Sequence, residues 1–236
     1  MIYIASGAGH SFAVDNNHQV YSWGASADFQ TGIYVKPNIE PGKDTKQMVK
    51  SPQRVEGLNS RKNKIVSISC GLKHTSVIVK CHLTNQNELV CFGGNEFGQC
   101  GNKEHGKGKL KTTFQPNQVL KGKFIELAEC GAAHTVVKTQ SNEVWSFGLN
   151  DKGQLGLGKC GSFSSCPLKL KSFTSFAVKK VCCSDESSCL ITTQGDLYVW
   201  GRNTSGMFDS EAGMFAMDEP LLRPTLVSML IFLYFL

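Results

Sequence analysis

Four stretches of this chain repeat one phrase, and that repetition limits its fold more than any other feature. A small residue and a glycine, followed three residues later by a histidine position, lead through an apolar run to an aromatic-Gly pair. The copies run from Ser6-Gly7 and His10 to Trp23-Gly24, from Cys70-Gly71 and His74 to Phe92-Gly93, from Cys130-Gly131 and His134 to Phe147-Gly148, and from Cys183-Ser184 and Ser187 to Trp200-Gly201. The step from the His position to the closing glycine is 14 residues in copies one, three and four, and 19 in copy two. Repetition at roughly 50 to 65 residues marks a modular array, in which each unit buries its faces only against its neighbours. The 236 residues are therefore read as one array, residues 1–225, with repeat phrases near 2–24, 66–101, 126–158 and 179–208.

Inside each unit the pattern is strand-like. Ser11-Phe-Ala-Val14, Thr75-Ser-Val-Ile78 and Ser188-Cys-Leu-Ile191 are short apolar, β-branched runs. Turn residues and a second run follow, such as Val144-Trp-Ser-Phe147 or Leu197-Tyr-Val-Trp200. Two such runs around a turn predict an antiparallel hairpin. No window of helical length carries an amphipathic period, so the class is all-β. Beyond the closing glycine, copies two and three share Asn95-x-x-Gly98-Gln99-Cys-Gly101 and Asn150-x-x-Gly153-Gln154-Leu-Gly156, a compact turn. Copy four keeps only Asn203-Thr-Ser-Gly206, and copy one reads as degenerate.

These phrases resemble the regulator of chromosome condensation repeat family. Its repeat is similar to small-small-Gly-x-x-His-Thr, a hairpin, aromatic-Gly and Asn-x-x-Gly-Gln-Leu-Gly. Copy three matches almost fully, copy two well, and copies one and four in part. The resemblance implies a β-propeller of four-stranded antiparallel blades, usually seven, of which about four are visible here. A fragment of a longer array is the favoured explanation. The resemblance further implies a protein-interaction scaffold or, as the alternative, a guanine-nucleotide exchange factor for a small Ran-like GTPase.

Ten cysteines in a chain with no secretory leader pattern and no disulfide-module spacing point to reduced thiols, in the cytosol or nucleus. Cys70, Cys130 and Cys183 share one repeat position and read as small core residues. Cys70/His74 and Cys130/His134 have zinc-like residue types, but successive copies fall in different blades and do not converge, so no metal site is expected. Gly101-Asn-Lys-Glu-His-Gly106-Lys107-Gly108 approaches a phosphate-binding loop, yet Gly108 lacks the magnesium-binding hydroxyl and no helix is expected after it. No nucleophile sits in a known catalytic setting, and neither a catalytic residue nor a cofactor is expected. Trp23, Trp145 and Trp200 read as core anchors rather than the clustered tryptophans of a light sensor.

Positive charge gathers in two apparent loop insertions. Residues 36–64, within a connection at 25–65, hold eight cationic side chains against three acidic ones, and residues 102–123 hold six against one. Lys43, Lys46, Lys50, Arg54, Arg61 and Lys62 in the first, and Lys103, Lys107, Lys109 and Lys111 in the second, are the candidate partner-binding residues. Such charge suits an acidic protein surface, nucleic acid or anionic lipid, with a merely solvated insertion as the alternative; a protein partner, a small GTPase among the candidates, is expected ahead of nucleic acid or lipid, and the lack of interleaved aromatics counts against single-strand stacking. The apolar run 226–236 is too short to cross a bilayer and is read as an accidental tail, the product of intron read-through after Thr225.

Overall fold

The computed structural model describes residues 3–37, 46–58, 63–173, 176–204 and 219–227. Its strands form four sheets of four antiparallel strands, each a simple meander in chain order. Blade one is β1 (Tyr3–Ser6), β2 (His10–Val14), β3 (Val20–Ala25) and β4 (Met48–Arg54). Blade two is β5 (Asn63–Cys70), β6 (His74–Cys81), β7 (Asn87–Gly94) and β8 (Leu110–Lys111). Blade three is β9 (Ile125–Cys130), β10 (His134–Thr139), β11 (Val144–Asn150) and β12 (Ser162–Lys169). Blade four is β13 (Val178–Cys183), β14 (Ser187–Thr192), β15 (Leu197–Gly201) and β16 (Leu221–Val227).

The expected hairpins are the second and third strands of every blade. What the sequence reading took for insertions partly belongs to the blades. Lys50 and Arg54 lie on β4, Lys111 lies on β8, and β5 begins inside the stretch assigned to the first insertion. The boundary at 225 falls within β16, where Thr225, Leu226 and Val227 face Val199, Tyr198 and Leu197 in register. The first two residues of the supposed tail thus complete a sheet. Residues 228–236 lie outside the described residues.

Three apolar cores sit between the blades. Phe92 of blade two packs with Phe12, Val14, Val20 and Val55 of blade one. Phe147 of blade three packs with Ile78, Leu89 and Cys91 of blade two, and Trp200 of blade four with Val136, Val144 and Leu170 of blade three. The closing aromatic of blades two, three and four therefore packs into the blade before it. All three are fully buried, whereas Trp23 of blade one is only half-buried and does not serve as the core anchor expected of it.

The glycine after each aromatic has a geometric reason. Gly24, Gly93, Gly148 and Gly201 have φ of 102, 104, 107 and 100°. In blades one, three and four the pairing register to the fourth strand slips at this residue, the mark of a bulge. A β-carbon at Gly93 would lie 2.6 Å from the Lys73 carbonyl oxygen, and at Gly201 2.5 Å from that of Glu186. The same carbonyls accept the next amide, Gly94 N to Lys73 O at 2.7 Å and Arg202 N to Glu186 O at 3.0 Å. Each phrase closes by locking its third strand to the turn between its first two.

Copy one is not degenerate in space. Ser26 stands where copies two and three have asparagine, bonded to Thr31 Oγ1 at 2.5 Å and to the Ile33 carbonyl at 2.7 Å. Gln30 Oε1 accepts from Asp28 N at 2.9 Å, as Gln99 does from Phe97 N and Gln154 from Lys152 N. Phe29 occupies the position of Gly98 and Gly153, at φ 62° against their 75° and 77°. Its ring stacks on Phe114 at 6.0 Å and meets Phe92 edge-on at 6.3 Å, which offsets the left-handed strain. Phe29→Gly should release about 1 kcal/mol of that strain yet lower stability by about 2 kcal/mol net, because removing a packed ring costs about 3 kcal/mol. Urea denaturation of the variant checks the sign.

Candidate interaction surface

The signature histidines do structural work that fixes where the loops stand. His10 Nε2 lies 2.8 Å from Thr75 Oγ1, His74 Nε2 3.0 Å from Thr135 Oγ1, and His134 Nε2 2.9 Å from Ser188 Oγ. Each hydroxyl in turn donates to a carbonyl of the earlier blade, Thr75 to Gln30 O at 2.7 Å, Thr135 to Gln99 O at 2.8 Å and Ser188 to Gln154 O at 3.0 Å. A hydroxyl has one hydrogen, and it is spent on the carbonyl, so the imidazole Nε2–H must be the donor. That tautomer leaves Nδ1 bare, and Nδ1 of all three rings is buried without a partner. Trp200 Nε1 joins the relay by donating to Gln154 O at 2.9 Å. Sequence reading singled out the histidines and the glutamines but missed the hydroxyls. Their signal was present, since Ser11, Thr75, Thr135 and Ser188 all follow the His position.

The glycine three residues before each His exists for space. A β-carbon on Gly131 would sit on Cε1 and Nδ1 of His134 and 2.6 Å from the Ser184 carbonyl oxygen of the next blade. At Gly71 it would meet His74 and lie 2.5 Å from Gly131 O, and at Gly7 it would press into Gly71 O. These glycines let adjacent blades meet near their shared axis.

Zinc and phosphate chemistry find no support in these positions. The histidine Nε2 atoms are committed to hydroxyls, and the Cys130 thiol sits between Ser76 Oγ at 3.2 Å and the Ser69 carbonyl oxygen at 3.4 Å, which can accept its single proton. Burial pushes the Cys130 thiol up to about 11 and holds Cys70 and Cys183 above the ordinary range as well. The segment after Gly108 leads into the two-residue β8 and not into a helix. Among the described residues no helix is long and apolar enough to cross a membrane.

One end of the blades is the better-built surface. The turns between first and second strands line a cleft at the axis, with Ala8, Leu72, Ala132, Asp185, Glu186 and Arg202 around it. Arg202 Nη1 bonds Glu186 Oε2 at 2.5 Å. Beside this cleft stands the connection from β7 to β8, which carries Lys103, Lys107 and Lys109, all exposed. It is no floppy insertion. Asn95 Nδ2 donates to Asn102 Oδ1 and to the Glu104 carbonyl at 2.7 Å each, Gly106 N to Glu96 O at 2.9 Å, and Lys103 N to Ser165 O of blade three at 2.9 Å. His105 packs on Phe163, ring centroids 4.7 Å apart. Lys73, half exposed, adds a further charge to the same end, 3.7 Å from Asp28.

The remaining candidates scatter. Lys46 and Lys50 are exposed near the start of β4, but Arg54 lies at its far end, opposite Tyr21, and pairs with Glu56 at 3.4 Å. Lys111 is half-buried opposite Gly93. Lys43, Arg61 and Lys62 lie outside the described residues. At the opposite end of blade three, Lys123 is held by Glu143 at 2.6 Å and lies 5.0 Å from the Trp145 ring centroid. Lys169 binds the other Glu143 oxygen at 2.8 Å. Those bonds to Lys123 and Lys169 lower the Glu143 carboxyl to about 2.

Known sequences and structures agree with this architecture. Sequence models of the Regulator of chromosome condensation (RCC1) repeat match residues 17–78 and 141–191, and a second model of the same repeat matches 2–30, 126–154 and 178–206. The chain belongs to the RCC1 repeat family. It is 32% identical over 206 residues to the Ultraviolet-B receptor UVR8 of Arabidopsis thaliana, an alignment covering 87% of this chain and 42% of UVR8. It is 34% identical over 144 residues to the human X-linked retinitis pigmentosa GTPase regulator, covering 60% of this chain and 13% of that protein. Human WBSCR16 superimposes with a TM-score of 0.76 at 21% identity, over 95% of this chain and 54% of that one. Prp20p from Saccharomyces cerevisiae gives 0.76 at 22%, over 96% and 50%. This RCC1 array thus spans about half the length, or less, of these relatives. It is an all-β, partial propeller of four blades.

Proposed function

We propose that this RCC1 array is a protein-interaction scaffold whose working surface is the blade end formed by the axis cleft and the Lys103–Lys109 connection. The observation that carries this reading is the bracing of that connection. Three exposed lysines stand on a loop tied by backbone bonds to its own blade and to Ser165 of the next, so binding an acidic partner need not order them first. The relays beneath spend the histidines, hydroxyls and glutamine carbonyls on holding blades together. The ten cysteines, all free thiols, fit a reducing compartment, and the cytosol or nucleus is the proposed location.

A second reading is guanine-nucleotide exchange on a small GTPase, favoured by the 34% identity to a protein named as a GTPase regulator. Exchange needs no nucleophile, only tighter binding of the nucleotide-free form. One experiment separates the two. A panel of small GTPases loaded with fluorescent GDP is titrated with the full chain, reading anisotropy for binding and intensity for release. Binding without release, weakened at least tenfold by Lys103→Glu, Lys107→Glu and Lys109→Glu together but not by Lys50→Glu, supports the scaffold. Accelerated release supports exchange, and binding indifferent to the triple reversal removes this surface from both.

A further inference from the structure

Blade four carries the one place among the described residues where two cysteines face each other across paired strands. Cys182 on β13 and Cys189 on β14 are partners in the antiparallel register, flanked by Val181 opposite Leu190 and Cys183 opposite Ser188. Residues so opposed point to the same face of the sheet. Their Cα atoms stand about 4.5 or 5.5 Å apart, and a disulfide needs about 4.4 to 6.8 Å. The two sulfurs also sense each other, because burial first and the neighbouring Cys182 second push the Cys189 thiol up to about 11. Elsewhere Cys70 faces Thr75, Cys130 faces Thr135, Cys91 faces Ser76 and Cys81 faces Asn63.

Access differs between the two thiols, and that difference sets the order of events. Cys182 is exposed, whereas Cys189 is half-buried. Ser69 and Glu129 hold the place of Cys182 in blades two and three, one residue before Cys70 and Cys130, and both stay part-exposed with another blade packed after theirs. Access to Cys182 therefore does not depend on an open face of blade four. Cys91, Cys100 and Cys130 are buried, and Cys160, though exposed, lies in the connection between β11 and β12, in no strand register. A reagent from solvent can reach several thiols, but Cys182 alone has a second one directly opposite.

We propose that Cys182 and Cys189 form a thiol modification site that reacts with a low-molecular-weight disulfide of the glutathione class and converts it into a reversible bond between β13 and β14. The Cys182 thiolate attacks one sulfur of oxidised glutathione. A bond forms from Cys182 to that sulfur as the reagent's own S–S bond breaks, and one glutathione leaves as a thiolate that takes a proton from water. Cys182 then no longer ionises, which removes its share of what raises Cys189. Cys189 gives its proton to water and attacks the Cys182 sulfur, and the second glutathione leaves in the same way. The two protein thiols have lost two electrons and two protons, and one glutathione disulfide has gained them as two thiols. The new bond closes the hairpin whose turn, with Ser184, Asp185 and Glu186, lines the axis cleft.

Peptide mass spectrometry tests this on the folded full chain. After treatment with oxidised glutathione, remaining thiols are alkylated under denaturing conditions and the chain is cut with trypsin, which leaves residues 181–202 as one peptide holding Cys182, Cys183 and Cys189. That peptide should carry no glutathione, one alkyl group and one internal disulfide, while the peptide with Cys160 retains glutathione. Dithiothreitol before alkylation should return all three thiols. Cys189→Ser should trap glutathione on Cys182, and Cys182→Ser should leave Cys183 and Cys189 both alkylated. Circular dichroism establishes that each variant is folded, and Cys182→Ser, at an exposed position, keeps the test decisive if Cys189→Ser does not fold. Glutathione retained on Cys182 of the unaltered chain overturns the proposal. So does a Cys182 left unmodified while Cys160 reacts, or an internal disulfide that persists in Cys182→Ser.

Discussion

Gly131→Ala is expected to lower the stability of the array by about 4 kcal/mol, roughly a 10 to 15 °C fall in melting temperature for a chain of this size. The added methyl meets obstacles on two sides. One is the His134 ring, buried and held by its bond to Ser188, and the other is the Ser184 carbonyl of the next blade at 2.6 Å. Neither is the free end of a flexible side chain. Relieving the clash by moving His134 leaves Ser188 and the imidazole unpaired in the core, at about 1 to 3 kcal/mol. Overpacking contributes about 1 to 3 kcal/mol more. Gly195→Ala supplies the control, since Gly195 has φ 98° but nothing within 4 Å of the new methyl, so only the local conformational cost of about 1 kcal/mol applies. Urea midpoints of the two variants should differ clearly. Equal midpoints would mean that blades do not meet through the glycine-histidine turn.

Residues whose partners lie within one repeat were readable from the sequence, and residues whose surroundings depend on a neighbour were not. Each hairpin carries period-2 apolar runs and a turn, so β2 with β3 and β10 with β11 could be placed at once. The fourth strands carry no such pattern. In β4 only Val49 is buried, and β8 has two residues. Edge strands face a core with few side chains, and they tolerate proline, which is why Pro52, Pro167 and Pro224 sit inside β4, β12 and β16. Read along the chain, those prolines argue for loops. Phe29 misled for a related reason, because its positive φ is sustained by Phe114, 85 residues away in sequence and invisible to a turn motif.

The candidate surface was legible as charge but not as geometry. Lys103, Lys107 and Lys109 look no different in sequence from Lys50 or Arg54. What separates them is the bond from Lys103 N to Ser165 and the direction of β4, which carries Arg54 to the opposite end. The exposure of Trp23 was likewise beyond reach, since an aromatic-Gly phrase reads the same whether or not a preceding blade covers it.

Acid should unfold this array well above the pH at which ordinary carboxylates titrate. Burial lowers His10 and His134 to about 4 and His74 to about 3, from 6.5 in an exposed chain. Above pH 6.5 the three rings are neutral in both folded and unfolded forms, and the stability they allow is fully present. Between 6.5 and about 4 the unfolded chain takes up protons that the folded chain refuses, so stability is lost as pH falls through that window. The refusal has a structural cause, because a proton on Nδ1 would be buried with no acceptor against the Gly71 or Gly131 backbone. At pH 5 each histidine accounts for about 2 kcal/mol of loss. Glu143, lowered to about 2 by Lys123 and Lys169, contributes with the same sign, but only below its unfolded value of 4.5. Glu129, raised by burial, acts with the opposite sign and also from 4.5 upward, moderating the fall near pH 5. Urea midpoints at pH 7.5, 6 and 5 should therefore drop steeply, and His74→Gln, less stable at pH 7.5, should show a shallower drop because one refused proton is gone. Midpoints that stay level from pH 7.5 to 5, or a His74→Gln slope equal to that of the unaltered chain, would show that the buried relays do not govern the acid limit.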